Sequence, residues 1–173
     1  LVHLNPFFPV IERVIKTLDG VVREPQLLWD RGGKRFSMAV AMTTGGKFLL
    51  LEEPKYGQMG RFMTIPGGGV KRGESEFQAA QRELLEEIGY EAKSWTLLNP
   101  PEIIDFADKT DGGGHSFFLA HGAEKAREPK ESERSVVLVT RDELEAIVKF
   151  KHPTIKIVIA MSLVGIFLAL NYR

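Results

Sequence analysis

Residues 66–90, "PGGGVKRGESEFQAAQRELLEEIGY", join a run of glycines to a short acidic segment. Ser75 and Gln78 have the spacing of a helix-capping box, and Gly89 is the residue type that most often ends a helix. The stretch between them, "SEFQAAQRELLEEI", therefore predicts a helix. Its apolar residues form one stripe on the helical wheel that should face a core, namely Phe77, Ala80, Leu84 and Ile88.

Three carboxylates of this helix, Glu83, Glu86 and Glu87, cover the arc beside the apolar stripe. Like charges three or four residues apart repel by about 0.2–0.5 kcal/mol per pair, so a desolvated cluster needs a compensating charge. Clustered oxygen ligands are what Mg²⁺ and Mn²⁺ bind in proteins. The alternative is a solvated helix face, and we expect no apolar burial of Glu87.

The glycines before the helix suit close contact between the backbone and a ligand. Gly67, Gly68 and Gly69 lack Cβ atoms, and such loops contact phosphate or lend a carbonyl to a metal ion. A glycine loop beside a metal-binding acidic helix is suited to cleaving a phosphoanhydride, because the metal neutralises the diphosphate and activates water. An ordinary turn is the alternative.

The spacing of the whole stretch matches the nudix box, G-x5-E-x7-R-E-U-x-E-E-x-G-U, in which U is apolar or aromatic. The matching residues are Gly68, Glu74, Arg82, Glu83, Leu84, Glu86, Glu87, Gly89 and Tyr90. At average residue frequencies, a chance match in a chain of this length is on the order of 10⁻⁷. The chain therefore resembles the nudix hydrolases, which hydrolyse nucleoside diphosphates linked to another group.

The resemblance implies an α/β fold, an α/β/α sandwich around a mixed sheet, with Mg²⁺ or Mn²⁺ as cofactor. It implies that the metal ligands are Glu83, Glu86, Glu87 and the backbone carbonyl of Gly67 or Gly68. Glu74 would brace the loop against the helix, and Arg82 would orient a carboxylate.

Many family members also carry a glutamate on a later loop, as a general base or extra ligand. The candidates in "EPKESERSVV" are Glu128, Glu131 and Glu133, of which we favour Glu131 or Glu133 because they are nearest the following strand; a solvated loop charge is the alternative for each.

Residues 52–75, "EEPKYGQMGRFMTIPGGGVKRGES", resemble family members that act on ADP-ribose and other nucleoside diphosphate sugars. By that resemblance, Lys55 and Arg61 would meet the diphosphate, and Gly68 and Gly69 would contact the substrate. His115 would line the pocket or lie on the surface.

Two aromatic residues bear on the same branch. Trp29 would stack on a base or lie in the core. Phe106 stands where many ADP-ribose hydrolases have proline, which argues against strict ADP-ribose specificity.

The resemblance to the nucleoside diphosphate sugar branch implies a homodimer. The alternatives are another nudix substrate, such as a dinucleoside polyphosphate or a noncanonical nucleoside triphosphate, and a nucleotide-sensing module without catalysis. The complete set of box glutamates disfavours the sensing module.

The rest of the chain reads as one domain with a small appendage. Residues 1–20 are predicted to be an N-terminal helical appendage, since Pro9 suits a helix start, Gly20 suits its end, and Val10, Val14 and Leu18 fall four apart. Residues 21–173 are predicted to form the nudix domain. Its predicted strands are "FSMAVAMTT", "KFLLLEEP", "RFMTIPGGG", "YEAKSWTLLN", "EIIDFAD", "HSFFLAHG" and "SVVLVT". Helices are predicted for "RDELEAIVKF" and for the C-terminal apolar run.

Composition excludes several classes of protein. The 173 residues include 23 basic and 23 acidic side chains, so the overall charge does not favour a nucleic-acid partner. Cysteine is absent, which excludes disulfides and thiol chemistry.

The chain starts without a basic leader and apolar run, and the apolar stretch at 157–170 is shorter than the about 20 residues of a membrane span. We expect a cytoplasmic protein without membrane contact, whose C-terminal stretch is a buried helix or a dimer seam.

Overall fold

A mixed sheet organises the molecule, whose computed structural model describes residues 10–17, 20–27, 35–55, 60–99, 114–130, 134–155 and 160–172. The strands are β1 (Val10–Thr17), β2 (Gly20–Leu27), β3 (Phe36–Thr43), β4 (Phe48–Lys55), β5 (Gly60–Thr64), β6 (Gly67–Gly69), β7 (Tyr90–Glu91), β8 (Ser94–Leu97), β9 (His115–Lys125) and β10 (Ser135–Val139). The main order is β10-β4-β3-β9-β7, with β5 on β4, β6 on β3 and β8 on β9. β3 and β9 are parallel, and the other pairs are antiparallel.

Alternating side chains of the central strands supply a core on each face of the sheet. On one face, Ala39, Ala41, Leu49 and Leu51 pack with Leu84 and Ile88 of the acidic helix. On the other face, Val40, Phe48, Leu50 and Phe117 pack with Leu144, Ile147 and Ile166 of the later helices. This period of two is what a sheet covered on both faces requires. The predicted sandwich around a mixed sheet is confirmed.

The acidic helix begins and ends where the sequence predicts. α1 (Glu76–Glu83) starts at a reciprocal capping box, in which Gln78 N donates to Ser75 Oγ at 3.2 Å and Ser75 N donates to Gln78 Oε1 at 2.9 Å. It continues as a π-helical turn, Leu84–Ile88, and ends at Gly89 with φ +77. Phe77 departs from the prediction because it is 40% exposed; its ring contacts Trp95 and Phe118 at the edge of the core.

The N-terminal helix prediction is wrong. β1 and β2 form an antiparallel pair in which Thr17 lies opposite Gly20. The stretch is rich in β-branched residues, which favour strands over helices, and Asp19-Gly20 is a frequent hairpin signal between two such runs. The spacing of apolar residues at intervals of four indicates a helix less strongly than this composition indicates strands.

The two later helices cover the second face of the sheet. α2 (Arg141–Val148) begins at a capping box formed by Thr140 and Glu143. α3 (Ala160–Asn171) buries Ser162, Gly165, Ile166 and Ala169, as predicted for a buried C-terminal helix. None of the described helices has the length and apolar character needed to cross a bilayer. The predicted strand "EIIDFAD" lies outside the described residues, and "YEAKSWTLLN" contains the two short strands β7 and β8.

Candidate active site

The glycine loop lies against β3 so closely that side chains would not fit. A Cβ atom on Gly67 would lie 2.7 Å from Met38 Cγ and 2.8 Å from the Ser37 carbonyl oxygen. A Cβ atom on Gly68 would overlap the Glu83 carboxylate. The loop therefore needs glycine at both positions, and at Gly68 the missing side chain leaves room for a carboxylate of the acidic helix.

Arg82 joins the glycine loop to the acidic helix. Its Nε and Nη2 atoms donate to the two carboxylate oxygens of Glu74 at 2.8 and 3.0 Å, and Nη2 also donates to the Gly69 carbonyl at 3.0 Å. Its Nη1 atom pairs with Glu83 and, at 3.4 Å, with Glu86. Hydrogen bonding to Arg82 lowers the pKa of Glu74, and the same bond raises the pKa of Arg82. The bracing role predicted for Glu74 and the orienting role predicted for Arg82 both match this geometry.

Glu87 is the most deeply placed of the predicted metal ligands. It is 8% exposed, its Oε2 accepts from Gly67 N at 2.9 Å, and its Oε1 pairs with Arg134 Nη1. Burial raises the pKa of Glu87 to about 7, although the charge of Arg134 and the bond from Gly67 N act in the opposite direction. The expectation that Glu87 escapes burial is wrong: Glu87 is a buried residue of the π-helical turn, and the glycine loop contacts it through Gly67 N.

The sequence interpretation missed two residues of the site, Glu53 and Arg134. Glu53 is 7% exposed on β4, and its Oε2 lies 3.3 Å from Arg134 Nε. Arg134 thus bridges the carboxylates of Glu53 and Glu87. The alternation of β4 is a signal for Glu53, because buried Leu51 lies two residues earlier on the same face. Nothing in the sequence around Arg134 indicates its role.

A cavity of about 220 Å³ opens beside these groups. Its charged wall consists of Glu53, Glu87 and Arg134, next to Gly67 and Gly68 of the loop. The remaining lining residues are Phe36, Met38, Thr64, Ile65, His115 and Met161. The site therefore draws on four strands, the acidic helix, the loop and the C-terminal helix.

His115 lines the cavity, and the surface alternative for it is wrong. It is 1% exposed at the start of β9, and its ring stacks on Phe36 with centroids 5.4 Å apart and planes 8° apart. Its carbonyl oxygen accepts from Asn99 Nδ2 at 2.7 Å. The parallel pairing of β3 and β9 brings Phe36 directly beside His115.

The basic residues predicted to meet the diphosphate lie on neighbouring strands. In the pairing of β4 with β5, Lys55 lies opposite Gly60 and Arg61 opposite Pro54, so the two backbones are adjacent. The side chains of Lys55 and Arg61 lie outside the described part of the structure, as does Trp29.

The later loop is described only in part. Glu128 is exposed and pairs with Lys125 at 2.6 Å, in agreement with a solvated loop charge. Glu131 and Glu133 lie outside the described residues.

The predicted metal ligands share one face of the helix but are paired with basic side chains. Over the described ranges, no three acidic or histidine side chains converge as ligands of one ion. The pairs are Glu83 with Arg82, Glu86 with Arg82 and with Lys130, and Glu87 with Arg134. Carboxylate oxygens beside the Gly68 backbone are the donor set that suits a hard divalent cation, so these residues could hold one.

A family model matches the part of the chain that contains the glycine loop and the acidic helix. The model describes the NUDIX domain and matches residues 33–158. The chain belongs to the nudix family. It is therefore a nudix hydrolase, and this family of pyrophosphohydrolases acts on nucleoside diphosphate derivatives.

Solved structures share the nudix fold. The crystal structure of an ADP compounds hydrolase has a TM-score of 0.78 and 20% identity, and covers 97% of this chain and 87% of that one. A MutT structure, from work on Aliivibrio salmonicida and Vibrio cholerae, has a TM-score of 0.50 and 22% identity, and covers 65% of this chain and 83% of that one. At these identities the likeness concerns the fold alone. No curated protein sequence matches the chain.

Proposed function

We propose that this nudix hydrolase cleaves the diphosphate bond of a nucleoside diphosphate sugar of the ADP-ribose, GDP-sugar or UDP-sugar type. The products would be a nucleoside monophosphate and a sugar phosphate. The observation that carries the proposal is the buried Glu87 carboxylate, held by the glycine loop at a cavity that both charged and apolar residues line. A diphosphate with an organic group attached suits such a mixed lining.

The proposed cofactor is Mg²⁺ or Mn²⁺, held by Glu83, Glu86, Glu87 and the Gly68 carbonyl. The fit rests on the donor chemistry and on Gly68, where any side chain would fill the space beside Glu83. When bound, the cation supplies Lewis acidity, which neutralises the diphosphate and activates water.

The residues of the chain would then bind the substrate and move one proton. Arg134, Lys55 and Arg61 provide positive charge for the diphosphate, with Gly68, Gly69 and His115 lining the site. Glu131 or Glu133 accepts the proton of the attacking water. The new P–O bond forms as the bond from phosphorus to the bridging oxygen breaks, which leaves two phosphate monoesters.

A screen of nucleotide derivatives tests the proposal. Products from ADP-ribose, GDP-glucose and UDP-glucose, with dinucleoside polyphosphates and nucleoside triphosphates for comparison, are separated by ion-exchange chromatography. We expect a nucleoside monophosphate and a sugar phosphate in equal amounts, in Mg²⁺ but not in EDTA. Activity confined to triphosphates would refute the substrate class and leave the nudix assignment intact.

The quaternary state and the compartment are part of the same proposal. We expect a cytoplasmic homodimer, as in the sugar-nucleotide branch that the pre-box sequence resembles. Sedimentation equilibrium of the intact chain measures the assembly, and a monomer at all concentrations would contradict it.

A further inference from the structure

The cavity beside Glu87 has an apolar wall whose function the cleavage chemistry leaves open. This wall consists of Phe36, Met38, Ile65 and Met161. The nearby Thr64 hydroxyl is engaged, because it lies 2.8 Å from Ser162 Oγ and donates to the Ile65 carbonyl at 3.2 Å. These four residues therefore present flat and flexible apolar groups to the cavity.

An aromatic stack forms the floor of the same wall. The rings of Phe36 and His115 are nearly parallel, and the His115 ring also stacks near Phe117 with centroids 6.3 Å apart. Both Phe117 and His115 are fully buried, so this stack is fixed by the core. Methionine side chains such as Met38 and Met161 contact aromatic rings favourably and adapt to their shape.

Met161 is held in place by the docking of α3 on the sheet. Its neighbour Ser162 is fully buried and accepts from Ile65 N at 3.2 Å. One turn later, Gly165 is so close to the sheet that a Cβ atom there would lie 2.6 Å from the Phe117 ring. The C-terminal helix thus fixes Met161 against the strand that leads into the glycine loop.

We propose that the apolar wall binds the nucleobase of the substrate, and that Met161 is a specificity-determining residue for that base. The inference rests on the proposed function and adds the orientation of the substrate, with the base inward and the sugar phosphate outward. The volume of about 220 Å³ is below the roughly 300–1,000 Å³ of sites that enclose a whole ligand, so one part of the substrate enters. The flat face of a base can stack on Phe36 and fit the adaptable methionines, whereas a puckered sugar ring offers no such flat face.

Methyl NMR tests the orientation without turnover. The protein is labelled with ¹³C at the methionine methyl groups and titrated in EDTA with AMP, GMP, UMP and ribose 5-phosphate. Met161→Leu and Met38→Leu assign the two signals. A nucleotide should shift both signals by the ring current of its base, and ribose 5-phosphate should shift neither. Met42, which packs in the core on the same strand as Met38, is the internal control.

Two results of the titration would overturn the inference. One is that no nucleotide shifts the signals of Met38 and Met161, and the other is that ribose 5-phosphate shifts them equally. Because the titration needs no catalysis, its failure can be told apart from a failure to hydrolyse nucleoside diphosphate sugars.

Kinetics of Met161→Ala test its role in specificity. The values of kcat/KM for ADP-, GDP- and UDP-glucose vary the base alone, and ADP-ribose against ADP-glucose varies the sugar alone. We expect the ratios among bases to change about tenfold and the sugar ratio to stay constant. Phe167→Ala, on the same helix but 55% exposed, should change neither ratio. A change in the sugar ratio alone would overturn the inference, and Met161→Leu provides a volume-conserving variant if the alanine variant folds poorly.

Discussion

Glu87 combines deep burial with a charge that catalysis would require. An ionised carboxylate loses hydration when it is buried. The hydrogen bond from Gly67 N and the ion pair with Arg134 compensate for part of that lost hydration. The resulting pKa of about 7 describes the metal-free protein. A divalent cation would favour the ionised form, so metal binding and the charge state of Glu87 should be linked.

Replacement of Glu87 by glutamine should abolish most activity while the protein stays folded. The glutamine Oε1 can still accept from Gly67 N, but a negatively charged ligand is lost. We predict that kcat falls roughly a thousandfold in Glu87→Gln, as for the loss of a key electrostatic group. Circular dichroism checks the fold, and Glu91→Gln is the control because Glu91 is exposed just after the helix. Near-normal turnover of Glu87→Gln would contradict the ligand role.

Arg134 acts as the shared counter-charge of Glu53 and Glu87. We predict that Arg134→Gln lowers the free energy of unfolding in EDTA by about 3–5 kcal/mol, because two buried carboxylates lose a cationic partner. Mg²⁺ should restore more stability to the variant than to the wild type, since it would supply the missing positive charge. Urea denaturation with EDTA and with Mg²⁺ measures both effects.

A matched control for Arg134→Gln is Lys93→Gln, which removes an exposed pair with Glu124. Its effect should stay within about 1 kcal/mol. Equal stabilisation of wild type and Arg134→Gln by Mg²⁺ would argue against a metal beside Glu87.

The site residues that sequence predicts are those related by local spacing. The helical period places Glu83, Glu86 and Glu87 on one face whatever surrounds the helix. It does not specify what covers that face, so the burial of Glu87 and its pairing with Arg134 were not predictable. Arg134 is distant in the sequence, and the pairing of β10 with β4 determines its approach.

At the scale of elements, the C-terminal helix shows why an apolar run contains small residues. Gly165 has ordinary helical backbone, and a Cβ atom there would lie 2.6 Å from Phe117 Cδ1 and 2.8 Å from Ile65 Cδ1. Ser162 supplies a hydroxyl to Thr64 and to Ile65 N. The sequence predicted a buried helix from its length and composition, but the reason for glycine at this turn appears only with the facing strands.

The Gly165→Ala variant measures this close packing. Alanine gains about 1 kcal/mol in helix propensity, whereas overpacking a core typically costs 1–3 kcal/mol. We predict a net loss of about 1 kcal/mol in the free energy of unfolding, measured by urea denaturation. Ala160→Leu enlarges an exposed residue of the same helix and should have an effect within about 0.5 kcal/mol. A more stable Gly165→Ala protein would show that the sheet and helix can separate without cost.

At the scale of the whole molecule, the sandwich was predictable and the cavity was not. Alternating apolar strands and capped helices indicate which layers form. The cavity instead depends on β3, β9 and α3 meeting beside the glycine loop, at residues such as Phe36, His115 and Met161. The N-terminal pair of strands shows the same limit, because apolar residues four apart in its first strand imitate a helical period.

This assembly also predicts which atom of the substrate water attacks. Arg82 joins the acidic helix to the glycine loop, so the proposed oxygen ligands are held beside the loop where the diphosphate would bind. Cleavage at the sugar carbon would instead need a carboxylic acid and an opposing carboxylate about 5–10 Å apart across the sugar. The acidic side chains lining the cavity, Glu53 and Glu87, are both paired with Arg134 on one wall.

Hydrolysis of a nucleoside diphosphate sugar in ¹⁸O-labelled water should therefore place the label on a phosphate of one product. Mass spectrometry of the nucleoside monophosphate and the sugar phosphate identifies which phosphorus is attacked. Attack on phosphorus leaves the bond between the sugar carbon and its oxygen unbroken, so the sugar should carry no label. Label on the sugar carbon, with release of the intact nucleoside diphosphate, would refute the mechanism, because the metal-binding carboxylates could not then be acting on the diphosphate.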